Sequence, residues 1–93
     1  MTPQFEWNAG KAARNIEKHG VSFDEASTIF DDPMLITVID DEHSNGEERY
    51  ITIGLSSNAR LLLIAHTDRN GRIRIISARQ ATKAEARFYS EAR

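Results

Sequence analysis

The sequence predicts one α+β domain over residues 1–93, with two N-terminal helices, a four-stranded antiparallel β-meander and a C-terminal helix. Three observations support this prediction. Helix-start signals occur near both ends of the chain, segments rich in β-branched residues fill the middle, and short polar turns separate those segments. Because consecutive strands joined by short turns usually pair with each other, the middle of the chain is expected to form an antiparallel sheet.

The first helix is predicted over residues 9–18. Asn8 is a good N-cap, and Gly20 stands where glycine commonly ends a helix. Three basic residues recur at spacings of three and four, which places a basic stripe along one side of this helix: Lys11, Arg14 and Lys18.

The second and last helices begin with capping-box patterns. Ser22-Phe23-Asp24-Glu25 and Thr82-Lys83-Ala84-Glu85 each place a hydroxyl three residues before a glutamate, so that each side chain can bond a free backbone amide. Asp31-Asp32-Pro33 ends the second helix, since the residue before proline avoids the helical region. The last helix is expected to run to about residue 92.

The strands follow from composition and alternation. Met34 to Asp40 is rich in β-branched residues, Arg49 to Leu55 alternates, and residues 60–79 form a hairpin with Asn70-Gly71 at its tip. The short segment Phe5-Glu6-Trp7 is open to two interpretations, an edge strand or a hydrophobic plug.

The faces of the last strand are ambiguous. Plain alternation puts Ser77 and Arg79 on one face with Ile73 and Ile75, and puts Arg72, Arg74, Ile76 and Ala78 on the other. Neither face is cleanly apolar. A β-bulge near Ser77 would resolve the conflict, but the sequence does not show one.

The length and amino-acid composition indicate a small globular protein whose charge is unevenly distributed along the chain. Residues 1–48 hold 3 Lys/Arg and 11 Asp/Glu, whereas residues 49–93 hold 9 and 3, so the halves carry −8 and +6. Such a chain can present a basic face to nucleic acid, or the two halves can interleave and cancel. The absence of cysteine fits a reducing cytoplasm, and no apolar run reaches the roughly 20 residues of a membrane helix.

Several catalytic classes lack their motifs in this sequence. The histidines, His19, His43 and His66, are scattered without metal-site spacing, and neither a phosphate-binding glycine loop nor Gly-x-Ser-x-Gly occurs. No metal or other cofactor is therefore expected. Phosphodiester chemistry on RNA remains, because the 2′-hydroxyl of RNA supplies its own nucleophile.

The hairpin carries the residues that suit this chemistry. His66 titrates in the right range for proton transfer, Arg74 and Arg79 can stabilise the charge of the transition state, and Ser77 can bond a phosphate oxygen. Lys18-His19 can join them if the first helix packs near the strand ends.

Each of these residues also has a structural interpretation. His66 equally fits a partly buried residue that bonds the backbone, and Arg72 and Arg74 fit solvated edge charges. Arg79 can instead form an ion pair with Glu47, Glu48 or Asp68. Lys18-His19 suits a helix C-terminus, where cations interact favourably with the dipole.

Segments along nearly the whole chain resemble the BrnT toxin family. The more specific matches are Lys18-His19-Gly20-Val21-Ser22-Phe23 and Arg74-Ile75-Ile76-Ser77-Ala78-Arg79; others are Phe5-Glu6-Trp7-Asn8, Phe30-Asp31-Asp32-Pro33, Gly46-Glu47-Glu48-Arg49-Tyr50 and His66-Thr67. The family usually has Trp-Asp where this chain has Trp7-Asn8. Asparagine caps a helix about as well, so the difference is not expected to change function.

The resemblance implies a RelE-like fold and a ribonuclease toxin of a type II toxin–antitoxin system. It implies RNA cleavage that blocks translation, neutralisation by a BrnA-type antitoxin in a hetero-oligomer, and operator DNA bound only through the antitoxin.

The hypothesis from the sequence is thus a metal-independent endoribonuclease in the cytoplasm. The expected catalytic residues are His66, Arg79, Arg74, Lys18 and His19, and the expected RNA-binding residues are Arg49, Arg69 and Ser77. Two other classes stay open. One is a non-catalytic RNA- or antitoxin-binding module, and the other is an interaction protein for an acidic partner.

Overall fold

The computed structural model describes residues 3–92 and contains one five-stranded sheet in the order β1-β5-β4-β3-β2. The strands are β1 (Gln4–Glu6), β2 (Ile36–Ile39), β3 (Arg49–Leu55), β4 (Leu61–Arg69) and β5 (Arg72–Gln80). Strands β2 to β5 pair antiparallel in sequence order, whereas β1 pairs parallel with the first residues of β5. The sheet is therefore mixed.

The predicted fold class, two N-terminal helices, a four-stranded antiparallel meander and a C-terminal helix, is wrong. The sheet has a fifth strand, that strand is parallel to its neighbour, and it precedes the helices. The pairing was missed because β1 has only three residues and its partner Arg72 lies 68 residues beyond Gln4. Local patterns locate strands but do not identify such distant partners.

The helices are α1 (Ala9–His19), α2 (Phe23–Ser27) and α3 (Lys83–Glu91). Asn8 caps α1, Gly20 ends it with a φ of 68°, and the capping box of Thr82 and Glu85 forms as predicted. The box at Ser22 forms only in part, because the carboxylate of Glu25 bonds Arg60 and Ser56 instead. Between residues 3 and 92, no helix is long and apolar enough to cross a membrane.

Two 3₁₀ turns, Thr28–Asp31 and Asp41–His43, flank β2. The first continues directly from α2 and brings Ile29 into the core. At the predicted hairpin tip, Asn70 and Gly71 have φ values of 51° and 79°, a conformation that Asn-Gly tolerates well.

A β-bulge at Ile76 determines which residues of β5 share a face. Ala65 pairs with Ser77 and His66 pairs with Ile75, so Ile76 has no partner on β4. The extra residue reverses the alternation beyond it. Four polar residues consequently point to one face, which we call the arginine face: Arg72, Arg74, Ser77 and Arg79.

The other face of the sheet forms the core with the helices. Eight side chains there are almost fully buried: Val21, Phe23, Ala26, Ile29, Leu62, Ile64, Ile75 and Ala78. The bulge allows Ile75 and Ala78 to point into this core together. It therefore resolves the conflict that plain alternation left in the sequence.

Asn15 attaches α1 to the edge of β5 beyond the end of β1. Its side chain donates to Val21 O and Ala78 O, both at 2.8 Å, and accepts from Ala78 N at 3.1 Å. Asn15 is 6% exposed, so these bonds form away from water. The two bonds to Ala78 satisfy backbone groups of β5 beyond the end of β1, and the bond to Val21 holds the segment between α1 and α2.

We expect Asn15→Ala to lower the free energy of unfolding by about 3 kcal/mol, because it leaves three buried backbone groups without partners. Urea unfolding followed by circular dichroism measures this. The control is Asn8→Ala, which removes an exposed cap and should cost about 1 kcal/mol. Equal losses for the two variants would contradict this role of Asn15.

Candidate active site

A groove of about 280 Å³ lies between α1 and the bulged part of β5. Its lining consists of Lys11, Arg14, Asn15, Lys18, His19, Ile76 and Ser77, and we call it the α1 groove. The basic residues of its helical wall recur along one side of α1, and the bonds of Asn15 hold that wall against β5. The predicted site residues Lys18, His19 and Ser77 therefore meet here.

Arg79 and Arg74 lie beside Ser77 on the arginine face. Ser77 pairs with Ala65, while Arg79 and Arg74 pair with Leu63 and Thr67. Each arginine is thus one same-face position from Ser77, about 7 Å along the strand direction. Ser77 therefore lies between the positions of the two arginines on this face.

Both arginines are held by carboxylates. Arg79 forms two bonds of 2.8 Å to Glu85 in the first turn of α3, and Arg74 donates to Glu6 on β1 at 2.9 Å. The bidentate bond with Arg79 lowers the pKa of Glu85 to about 2, and it raises the pKa of Arg79. The sequence allowed an ion pair of Arg79 with Glu47, Glu48 or Asp68. In the structure, the ion-pair partner of Arg79 is Glu85.

The two predicted RNA-binding arginines lie farther along the same face. Arg49 is opposite Thr67 on β3, and Arg69 is opposite Arg72 near the hairpin tip. Arg69 donates to both carboxylate oxygens of Glu47, and Arg49 Nε lies 3.7 Å from Asp40 Oδ2.

His66 lies on the opposite face of the sheet, inside the core. It is 4% exposed, it stacks on Tyr50, and its ring meets Phe30 edge to face. Its Nε2 is 2.7 Å from Thr52 Oγ1, while Nδ1 is buried without a partner among residues 3–92. Burial lowers the pKa of His66 to about 4, and the charge of Asp68 only partly opposes this.

The structure thus brings seven of the eight predicted residues to the arginine face or the α1 groove and separates His66 from them. The role of His66 in proton transfer stays a prediction. Lys11 and Arg14 were missed as site residues, although the basic stripe that contains them is visible in the sequence. The sequence does not show that α1 packs against the bulged part of β5, and this packing brings the basic stripe beside Ser77.

The ion pairs show how the acidic and basic halves of the sequence are arranged in the structure. Four of them join a carboxylate from residues 1–48 to an arginine from residues 49–93: Glu6–Arg74, Glu25–Arg60, Asp40–Arg49 and Glu47–Arg69. The halves therefore interleave and largely cancel. By contrast, Lys11, Arg14 and Lys18 form no ion pair within the described part of the chain.

No group of three or more His, Asp or Glu side chains within residues 3–92 is arranged to hold a metal ion. Anionic groups have clearer partners, since the α1 groove combines cationic side chains with the hydroxyl of Ser77.

Comparison with solved structures identifies the class of fold. The crystal structure of the Brucella abortus ribonuclease toxin BrnT is similar, with a TM-score of 0.67 at 19% sequence identity, covering 88% of this chain and 100% of that chain. At this identity the similarity shows a shared fold.

A match between a family model and the sequence identifies the protein family. The family model described as "Ribonuclease toxin, BrnT, of type II toxin-antitoxin system" matches residues 7–85. Because this range covers most of the chain, the protein belongs to the BrnT family of type II toxin–antitoxin systems. No curated protein matches it by sequence.

The burial of His66 predicts a pH dependence of stability. Its pKa is about 4 in the folded state and near 6.5 in the unfolded state, so below pH 6.5 the unfolded chain binds a proton that the folded chain does not. We expect about 2 kcal/mol of the free energy of unfolding to be lost between pH 7 and pH 5 through this residue.

His66→Gln should flatten this loss, because glutamine does not titrate. Urea unfolding at pH 7, 6 and 5 measures both proteins. Glu25 and Glu85 do not interfere, since their pKa values are lowered from 4.5 to about 2 and their effect begins only below about pH 4.5. An unchanged slope in the variant would show that His66 is not the titrating group.

Proposed function

We propose that this protein is a metal-independent endoribonuclease whose active site is the junction of the α1 groove and the arginine face. One observation carries the proposal: the bulge at Ile76 turns Ser77 and Arg79 to the same face as Arg74, and Ser77 also lines the α1 groove with Lys18 and His19. Membership of a family of ribonuclease toxins supports the same conclusion.

The chemistry is transfer of the phosphoryl group to the 2′-hydroxyl. A base removes the proton of the 2′-hydroxyl, the O2′–P bond forms, and the P–O5′ bond breaks. The products are a 2′,3′-cyclic phosphate and a 5′-hydroxyl, which takes up a proton. Positioned cations lower the barrier because negative charge grows on the phosphate oxygens in the transition state.

Arg79 is the main residue for stabilising that charge. Glu85 holds one side of its guanidinium, which fixes the orientation and leaves the Nε–H without a hydrogen bond among the described residues. Arg74 and Lys18 add positive charge, and Ser77 donates to a phosphate oxygen. Arg49 and Arg69 contact RNA farther along the arginine face.

His19 is placed better than His66 for proton transfer. It lines the α1 groove beside Ser77 and is partly exposed, whereas His66 is buried on the other side of the sheet. We therefore assign proton transfer to His19 and treat His66 as the alternative.

Membership of the family supports the proposed partners. Cleavage of RNA would block translation in the cytoplasm, and a BrnA-type antitoxin would neutralise the toxin in a hetero-oligomer. Operator DNA would be contacted only through the antitoxin.

We expect the purified protein to cleave RNA in the presence of EDTA and to leave 2′,3′-cyclic phosphate ends. His19→Ala should lower kcat at least about 100-fold, as expected for loss of a general acid–base group. His66→Gln should retain most of the activity at pH 7 after correction for the folded fraction. The reverse ranking would transfer the proton-transfer role to His66. Binding of RNA without cleavage would indicate a binding module instead.

Arg79→Ala should lower kcat by about 10² to 10³-fold with a smaller effect on KM, because the lost interaction acts mainly in the transition state. Steady-state cleavage of a fluorogenic RNA oligonucleotide measures both constants. Arg72→Ala is the matched control, since Arg72 lies on the same face but is exposed and is one same-face position farther from Ser77 than Arg74. A folded Arg79→Ala variant with wild-type kcat would refute the assignment.

A further inference from the structure

We infer that Lys11 and Arg14 form a phosphate-binding subsite for single-stranded RNA, next to the position of the cleaved phosphodiester. The inference rests on the proposed function and adds two residues and a direction for the RNA strand. The strand would run from Ser77 along α1 toward the N-terminus of the helix.

The first observation that supports the subsite concerns the cationic side chains that have no carboxylate partner. Arg49, Arg60, Arg69, Arg74 and Arg79 each pair with a carboxylate. Lys11, Arg14 and Lys18 do not pair with any within residues 3–92, and the lining of the α1 groove contains no carboxylate. Arg72, Lys83 and Arg87 also form no ion pair within residues 3–92, but they do not line the groove. The α1 groove thus brings three unpaired cations together without a carboxylate in its lining, an arrangement that suits an anion.

The second support is the spacing. Lys11 and Lys18 are seven residues apart, which corresponds to about 10 Å along the axis of α1. Cations spread over that length can contact more than one phosphate group of the same strand. If Lys18 serves the phosphate at Ser77, then Lys11 and Arg14 lie where a neighbouring phosphate of the same strand would pass.

The third support is rigidity. The bonds between Asn15 and Ala78 fix α1 at the centre of the stripe, so the cations need little backbone ordering when an anion binds. Ile76 contributes apolar surface to the same groove, against which a ribose or base can pack. A base can pack there only when it is unstacked, which favours a single strand over a duplex.

Binding to a 2′-O-methyl RNA oligonucleotide tests the subsite, because this RNA lacks the nucleophile and is not cut. Fluorescence anisotropy over a range of salt concentrations gives the dependence of log Kd on log salt. The double variant Lys11→Ala/Arg14→Ala should reduce the magnitude of this slope by about 1.4, or about 0.7 per lost phosphate contact. With cleavable RNA, KM should rise at least tenfold while kcat changes less than about twofold.

The control is Lys83→Ala/Arg87→Ala, which removes the same charge from two exposed residues of α3 outside the groove. Equal slopes for the two double variants would overturn the inference, and so would a fall in kcat without a change in affinity. If wild-type protein binds with the expected slope but cuts no RNA, the proposed function fails and the phosphate subsite stands. If RNA is cut but the slope does not change in the groove variant, the subsite fails alone.

Discussion

One unpaired residue in β5 determines what each face of the sheet does. Because Ile76 has no partner on β4, the side chains before and after it do not follow one alternation. Ile75 and Ala78 both reach the core, while Arg74, Ser77 and Arg79 all reach the opposite face. Without the bulge, Ser77 and Arg79 would point into the core in place of Ala78, and a polar, charged pair would have to be buried there.

The bulged part of β5 is subject to a second constraint, because the backbone groups on its open edge need hydrogen-bond partners. Strand β1 covers only residues 72–74 of that edge, and Asn15 of α1 bonds the backbone farther along at Ala78. The side chain that satisfies the strand therefore also fixes the helix beside the bulge. Around this junction the arginines of the sheet are oriented by carboxylates, whereas the cations of α1 remain available to a ligand.

Local signals in the sequence predicted most elements but not their arrangement. The caps at Asn8 and Thr82 and the turn at Asn70-Gly71 formed as expected, because each depends only on neighbouring residues. The parallel pairing of β1 depends on contacts 68 residues apart and was missed. For the site, the density of arginine on the hairpin was informative. The sequence could not predict that His66 lies on the core face, away from the other site residues. A histidine on an apolar strand gives the same sequence pattern whether its side chain faces the core or a ligand.

A crystal structure of the protein with a short 2′-O-methyl RNA would show directly whether RNA binds at the junction of the α1 groove and the arginine face. We expect a phosphate group within hydrogen-bond distance of Ser77, between Arg74 and Arg79, with the next part of the strand along Lys11 and Arg14. RNA bound elsewhere, with the α1 groove empty and Arg79 bonded to Glu85 but not to RNA, would contradict both the proposed active site and the phosphate subsite.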